Sequence, residues 1–117
     1  GGASKAIAYS LNKLDIKYKY VSRDKAAKLN YKNLTSELLK EHQIIINCTP
    51  LGTFPDINNS PDIPYQGLGS KHLLYDLIYN PEETMFLKKG KKQGATIING
   101  KKTLELQAEK AWEIWNK

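Results

Sequence analysis

Two short apolar runs that end in polar residues constrain the fold of this chain more than any other feature. The runs are "IIINCTP" at 44–50 and "HLLYDLIY" at 72–79, and the second is followed by Asn80 and Pro81. A continuous apolar run of this length is typical of a strand buried on both faces of a sheet. Such strands occur mainly in parallel sheets, whose strands are joined by helical crossovers. The runs therefore predict an α/β protein.

Helical patterns stand between and around these runs. From Ala3 to Leu14 the apolar residues Ile7, Leu11 and Leu14 recur at spacings of four and three, which predicts an amphipathic helix. In "TSELLKEHQ", Thr35 is placed to cap another helix. "EETMFLKKGKKQG" has acidic residues at its start and lysines at its end, as the helix dipole favours. "DKAAKL" predicts a short helix, and "KKTLELQAEKAWEIW" predicts a final one with a single apolar stripe.

The other segments are predicted as strands and a loop. "IKYKYVSR" alternates Ile and Tyr with lysines, and "ATIING" is short and apolar, so both predict strands. Residues 53–70 are rich in proline and glycine and predict a long loop, while Gly94 suits the end of a helix. Because a helical pattern comes first, the strand that should precede it is missing from this order. We therefore predict a mostly parallel sheet with helices on both faces and without its first strand.

Composition argues against several classes of protein. The 117 residues suffice for one compact domain, and no apolar run is long enough to span a bilayer. The net charge of +6 could attract nucleic acid or small anions, but the densest lysine cluster, "KKGKK", has no interleaved aromatic residues. The single cysteine, Cys48, fits a reducing cytoplasm and is predicted to be a small core residue rather than a nucleophile. We expect a cytoplasmic protein that binds no nucleic acid, membrane or metal.

The opening residues, Gly1, Gly2, Ala3 and Ser4, are of the types found in a dinucleotide-binding turn. Glycines let the backbone approach a pyrophosphate, and the helix that follows offers unpaired N–H groups and the positive end of its dipole. The alternative is that two leading glycines are a flexible remnant without a function. The turn is therefore a candidate phosphate site.

The segment "VSRDK" lies about 20 residues further on, where a dinucleotide-binding unit places the residue that recognises the ribose. Arg23 could hold a 2′-phosphate with its bidentate fork, and Lys25 adds positive charge. Asp24 would instead accept a hydrogen bond from a free ribose hydroxyl. The alternative is a surface turn with an ordinary Arg–Asp pair. From these residues, both NADP and NAD stay open.

Polar residues also stand where the predicted buried strands end, which is where ligands bind in open parallel sheets. These residues are Asn47, Thr49, Asp76 and Tyr79. The alternative for Asn47 and Asp76 is that they cap loops and satisfy backbone groups. In "NGKKTLELQ", Gln107 could hydrogen-bond an alcohol or a carboxylate, or be an ordinary residue of the helix surface.

The order of these segments resembles the C-terminal half of the shikimate dehydrogenase family. The segments that carry the resemblance are "GGASKA", "VSR", "NCTPLG", "DLIYNPEETMFL", "GA…NG" and "LELQAEKAWEIW", which together span essentially the whole chain. The resemblance implies a Rossmann-like NADP-binding domain at 1–100 and a C-terminal helix at 101–117 that borders the substrate cleft. Members of the family reduce 3-dehydroshikimate to shikimate with NADPH, in the biosynthesis of aromatic amino acids by the chorismate pathway.

The resemblance also implies roles for individual residues. Cofactor-binding roles fall on Gly1, Gly2 and Ala3 in the phosphate loop, on Ser22, Arg23, Asp24 and Lys25 at the adenosine phosphate, and on Asn47, Thr49, Leu77 and Gly100 at the nicotinamide side. Tyr79 and Gln107 would contact the shikimate ring or its carboxylate. Asp24 stands where the family usually has threonine. NADP is still favoured by Arg23 and by the nearby Lys25 and Lys28, and NAD is the alternative.

The catalytic lysine and aspartate of the family belong to its N-terminal domain, and nothing in these residues corresponds to them. The resemblance therefore implies that the chain begins where a longer enzyme was cut and has no turnover alone. It also implies a need for the missing N-terminal domain or for a partner strand from another chain. The alternatives are an NAD-preferring quinate/shikimate dehydrogenase, a natural split enzyme and a non-catalytic basic binding module.

Overall fold

The computed structural model of the chain describes residues 2–22 and 29–101. Its helices and strands follow in the order α1 (Gly2–Lys13), α2 (Ser36–Glu41), β1 (Ile44–Asn47), β2 (Leu73–Asp76), α3 (Met85–Lys92) and β3 (Thr96–Ile98). Two short 3₁₀ turns, Tyr31–Asn33 and Tyr65–Gly67, lie in the loops. The helices predicted at "DKAAKL" and "KKTLELQAEKAWEIW" fall almost wholly outside the described residues.

The three strands form one parallel sheet in the order β1-β2-β3. The register of β1 on β2 places Ile44 opposite Leu73 and Asn47 opposite Asp76. The loop predicted at 53–70 joins β1 to β2, and α3 joins β2 to β3. The α/β architecture with a parallel sheet is therefore confirmed. Because the strands are parallel, the carboxyl ends of all three lie at the same edge of the sheet.

The core lies on both faces of β2. Leu73, Leu74 and Tyr75 are at most 1% exposed. On one face, Leu74 belongs to a cluster with Leu39 of α2 and Phe86 of α3. On the opposite face, Leu73 and Tyr75 form a second cluster. The apolar run at 72–79 thus gives a strand buried on both faces, as predicted.

The first apolar run also forms its predicted strand, β1, but with less burial. The side chains of Ile44, Ile45 and Ile46 are half-buried, and Asn47 is the buried residue of the strand. In the described ranges, β1 pairs with β2 and with no other named strand. A strand with a single sheet neighbour leaves its other edge and part of its side chains uncovered, which explains the difference from β2.

The strand predicted at "IKYKYVSR" is wrong. Within the described residues the segment joins no strand ladder, and an isolated bridge pairs Ser22 with Asn30. The Tyr20 hydroxyl donates instead to the backbone carbonyl of Ser4 in α1 (3.3 Å), and the Tyr20 ring packs edge-on against Tyr18. Alternating side chains favour an extended backbone, but a strand also requires a neighbour with which to pair.

Two predicted helix caps are found in the structure, whereas α3 begins at Met85 after its N-cap Thr84, so the acidic residues predicted at its start precede the helix. Thr35 Oγ1 accepts a hydrogen bond from the N–H of Leu38 (3.2 Å) at the start of α2, as predicted. Gly94 follows α3 with φ at +92°, a conformation that favours glycine. The predicted cap at each of these two positions is confirmed.

The described ranges lack a membrane-spanning helix and a cluster of metal ligands. No helix in 2–22 and 29–101 has the length and apolar content that crossing a bilayer requires. In the same ranges, no three His, Cys, Asp or Glu side chains converge as metal ligands would.

Candidate functional site

A buried carboxylate, that of Asp76, stands at the carboxyl end of the central strand. Its Oδ1 accepts hydrogen bonds from Asn47 Nδ2 (3.2 Å) and from the backbone N–H of Ile78 (3.0 Å). Its Oδ2 accepts a hydrogen bond from Thr84 Oγ1 (2.6 Å). Burial raises the pKa of Asp76, and these three hydrogen bonds act in the opposite direction. One carboxylate therefore joins the end of β1, the loop after β2 and the start of α3.

The side chain of Asn47 shapes the loop that follows β1. Its Oδ1 accepts hydrogen bonds from the backbone N–H of Thr49 (3.0 Å) and from the Thr49 hydroxyl (2.7 Å). Thr49 Oγ1 accepts in turn from the N–H of Leu51 (3.2 Å). These bonds satisfy backbone N–H groups of the loop, which is the alternative role predicted for Asn47 and Asp76. They also fix polar side chains at the edge where ligands of parallel sheets bind.

The thiol of Cys48 lies directly after Asn47 and is half-buried. Burial raises the pKa of this thiol. A raised pKa lowers the fraction of thiolate at neutral pH, and the thiolate is the nucleophilic form. The direction of the shift supports the interpretation of Cys48 as a packing residue.

Leu77 and Gly100, which were predicted on the nicotinamide side, are in contact. The N–H of Gly100 donates to the carbonyl of Ile78 (3.1 Å), and the N–H of Leu77 donates to the carbonyl of Asn47 (3.2 Å). A Cβ at Gly100 would collide with the carbonyl oxygen of Leu77. A residue without a side chain is therefore required at position 100, and the structure brings Leu77, Gly100 and Asn47 together.

Tyr79, predicted as a substrate contact, presents its side chain to solvent beyond the end of β2. It is 62% exposed, and the nearby Phe54 is 66% exposed. The N–H of Phe54 donates to the carbonyl of Asn80 (2.9 Å), so the two loops run side by side. A tyrosine in this position can stack on a ligand or hydrogen-bond to it.

A cavity of about 630 Å³ lies between α1 and β1, and we call it the α1–β1 cavity. Three of the segments predicted to bind the cofactor line it: Ser4 in the first turn of α1, Ser22, and Asn47 with Thr49 after β1. The rest of the lining is largely apolar and includes Ile7, Leu11, Tyr20, Ile44 and Ile46. The structure therefore brings the first turn of α1, Ser22 and the segment after β1 to one space, whereas Leu77, Tyr79 and Gly100 are not among the residues that line it.

Several other predicted residues lie outside the described ranges, namely Gly1, Arg23, Asp24, Lys25 and Gln107, while Gly2 and Ala3 lie in the first turn of α1. The reasoning from sequence missed Thr84, which bonds to Asp76 and caps α3. A threonine directly before "MFLKKGKK" is a capping signal that could have found it.

Known proteins resemble this chain in both sequence and fold. No family model matches the sequence. The curated shikimate dehydrogenase (NADP(+)) of Methanosphaera stadtmanae is 41% identical over 133 aligned residues, covering 98% of this chain and 47% of that protein. The crystal structure of shikimate dehydrogenase from Aquifex aeolicus is 31% identical with a TM-score of 0.72, covering 99% of this chain and 45% of that one. A shikimate dehydrogenase in complex with NADP+ is 43% identical with a TM-score of 0.53, covering 66% of this chain and 27% of that one.

Two of these similarities extend over nearly the whole chain, one in sequence and one in fold. The chain spans about half the length of the curated relatives it matches, 47% and 46% for two of them. The resemblance stated from the sequence and the Rossmann-like architecture are both confirmed. The chain belongs to the shikimate dehydrogenase family.

Proposed function

We propose that this chain is the cofactor-binding half of an NADP-dependent shikimate dehydrogenase, which reduces 3-dehydroshikimate to shikimate. The observation that carries the proposal is the convergence of Ser4, Ser22, Asn47 and Thr49 on the α1–β1 cavity. Open α/β sheets bind nucleotides outside the carboxyl ends of their strands. The names of the matched relatives, shikimate dehydrogenase (NADP(+)), supply the cofactor and the reaction.

The described residues fit a dinucleotide that carries phosphates. α1 is 12 residues long, and its first turn contains no acidic residue. The positive end of its dipole and its unpaired N–H groups are therefore available to a pyrophosphate without a competing carboxylate. In this proposal the phosphates are bound by Gly1, Gly2 and Ala3, the adenosine phosphate by Ser22, Arg23, Asp24 and Lys25, and the nicotinamide side by Asn47, Thr49, Leu77 and Gly100.

Tyr79 and Gln107 complete the proposal on the substrate side. NADPH, when bound, supplies the hydride that reduces the ring carbonyl. The residues of this chain hold the cofactor at 1–100 and border the substrate cleft with the helix at 101–117. A lysine and an aspartate from the other half of the enzyme would act on the developing alkoxide, so the chain alone has no turnover. We include a cytoplasmic location, because a single cysteine is typical of proteins in reducing compartments.

Titration of the chain with NADPH, NADH and adenosine 2′,5′-bisphosphate tests the assignment of the cofactor. We expect NADPH to bind more tightly than NADH. Arg23→Gln should weaken NADPH and the bisphosphate about tenfold and leave NADH unchanged, because one charged contact to the 2′-phosphate is lost. The exposed Lys71, outside the proposed site, provides the matched control Lys71→Gln.

The same titration separates the alternatives. Equal affinity for NADH and NADPH would replace this proposal with the NAD-preferring enzyme, which Asp24 favours. Binding of neither nucleotide, together with salt-sensitive binding of an oligonucleotide, would indicate the basic binding module.

A partner strand for β1 is also part of the proposal. Ile44, Ile45 and Ile46 are half-buried and line the α1–β1 cavity. An uncovered apolar strand edge readily pairs with another chain segment. We infer that a strand from the N-terminal half of the enzyme, or from another chain, pairs with β1 and fills part of the cavity.

Hydrogen exchange tests the partner strand. The chain is compared alone and together with the N-terminal half of a shikimate dehydrogenase. We expect the amides of Ile44–Asn47 to gain protection in the mixture, with a matching increase in mass by light scattering. The amides of β2, already paired on both sides, are the internal control. A monomer whose β1 amides exchange at the same rate in both samples would contradict the inference.

A further inference from the structure

The carboxylate of Asp76 terminates a directional chain of hydrogen bonds from the β1 side. The N–H of Leu51 donates to Thr49 Oγ1, and the Thr49 hydroxyl donates to Asn47 Oδ1 (2.7 Å). The oxygen of the Asn47 amide is therefore directed toward the loop, and its nitrogen donates to Asp76 Oδ1 (3.2 Å). Each donor in this series fixes the orientation of the next group.

A second chain of hydrogen bonds reaches the same carboxylate from α3. The N–H of Leu87 donates to Thr84 Oγ1 (3.3 Å), and the Thr84 hydroxyl donates to Asp76 Oδ2 (2.6 Å). The backbone N–H of Ile78 donates to Oδ1 (3.0 Å). An ionised carboxylate donates nothing and has room for all of these bonds, so it can end both chains at once.

We propose that Asp76 is a positioning residue for the nicotinamide end of the cofactor, a role that rests on the proposed function. The carboxylate holds Asn47, and through it Thr49, in one orientation. It also anchors the backbone that leads from Asp76 through Leu77 to Ile78, against which Gly100 packs. The four residues predicted on the nicotinamide side are therefore all placed, directly or through one neighbour, by this buried group.

The isosteric change Asp76→Asn disrupts this arrangement without creating a cavity. If the new amide oxygen points toward Asn47 and Ile78, the new NH₂ group points toward Thr84 Oγ1. The Thr84 hydroxyl then loses the carboxylate oxygen that accepted its hydrogen bond. If the new amide is flipped, its NH₂ group faces the NH₂ group of Asn47, and two donors meet without an acceptor. Neither orientation satisfies both chains, so the polar groups of the two loops lose their fixed order.

Binding of two ligands distinguishes positioning from general stability. NADPH includes the nicotinamide, whereas adenosine 2′,5′-bisphosphate is the adenosine end alone. We expect Asp76→Asn to weaken NADPH about tenfold and to leave the bisphosphate within about twofold of the wild-type affinity. Thr84→Val, which removes one donor to the same carboxylate and keeps a branched side chain, should act in the same direction. The exposed Asp62 provides the control Asp62→Asn, which should change neither affinity.

Each other outcome has a definite meaning. Equal losses for the two ligands would show a purely structural role for Asp76, and no loss for either would show no role, so both overturn the proposal. If Asp76→Asn does not fold, Thr84→Val decides by the same comparison, and failure of both variants to fold also overturns it. A wild-type chain that binds neither ligand would instead reject the proposed function.

Discussion

Gly100 packs its Cα directly against the backbone carbonyl of Leu77, with no room for a side chain between them. The N–H of Gly100 also donates to the carbonyl of Ile78 (3.1 Å), which fixes the two segments side by side. The obstacle to a larger residue is backbone rather than the flexible end of a side chain. The contact therefore fixes the distance between the loop after β2 and the segment after β3.

Gly100→Ala should lower the free energy of unfolding by about 1–3 kcal/mol, because the new methyl group forces these two backbone segments apart. The measurement is urea denaturation of both proteins. Gly69→Ala is the matched control, since a Cβ at Gly69 meets no atom within 4 Å. If Gly100→Ala and Gly69→Ala were equally stable, the close approach of Gly100 to Leu77 would be contradicted.

The buried carboxyl of Asp76 should make stability depend on pH in an unusual direction. Its pKa in the folded protein is raised above the ordinary value of 3.8, mainly by burial. Between these two pKa values the folded state binds more protons than the unfolded state, so this group's contribution to the free energy of unfolding increases as the pH falls. At pH values above the folded pKa the same group destabilises the fold.

The difference in free energy of unfolding between wild type and Asp76→Asn isolates this contribution. We expect the difference to shift in favour of the wild type as the pH falls from neutral towards 3.8, because asparagine does not titrate. The measurement is urea denaturation at several pH values. A difference that shifts in favour of the variant on acidification would mean that the pKa of Asp76 is lowered.

The elements that the sequence predicted correctly are those whose signals are local. The run around Leu73, Leu74 and Tyr75 is apolar without interruption, and only a strand covered on both faces accommodates it. Thr35 lies at the start of its helix, where its side chain reaches an N–H three residues ahead. Such features depend on neighbours in the chain, so a single sequence contains them.

The features that the sequence did not predict depend on contacts between distant residues. The alternation in "IKYKYVSR" concerns side chains, whereas the tertiary fold decides whether another strand lies beside its backbone. No strand pairs with it in the described residues, and the Tyr20 hydroxyl donates to the carbonyl of Ser4. The bond from Asn47 to Asp76 likewise depends on the register that places these residues opposite each other. Asn47 and Asp76 were candidates from their position at strand ends, but their mutual contact could not be read from their spacing.

Gly90 lies where α3 crosses β2, and a Cβ there would collide with the side chain of Leu74. In an exposed helix, replacement of glycine by alanine stabilises by about 1 kcal/mol. Here Leu74 is fully buried in a cluster with Phe86 and Leu87 and has little room to move. We expect Gly90→Ala to lower the free energy of unfolding by about 1–2 kcal/mol, because overpacking outweighs helix propensity. Thermal or urea denaturation measures the sign, and a stabilised variant would contradict the close packing.

The imidazole of His72 connects α2 to the start of β2 by two hydrogen bonds, one buried and one partly buried. Its Nδ1 can only accept the hydrogen bond from the N–H of Gly69 (3.0 Å), so its Nε2 carries the hydrogen and donates to the carbonyl of Leu39 (2.7 Å). His72→Leu keeps the volume roughly constant but leaves the N–H and the carbonyl unpaired. We expect a loss of about 2–4 kcal/mol in the free energy of unfolding, measured by urea denaturation.

The other histidine gives the control for this loss. His42 Nδ1 also contacts a backbone carbonyl, that of Leu38 (3.0 Å), but its side chain is only partly buried. Water can replace the imidazole there, so His42→Leu should cost less than about 1 kcal/mol. His72→Gln, which retains both a donor and an acceptor, should recover part of the stability that His72→Leu loses. Equal losses for His72→Leu and His42→Leu would mean that the burial of the His72 side chain adds nothing to the cost of losing its hydrogen bonds.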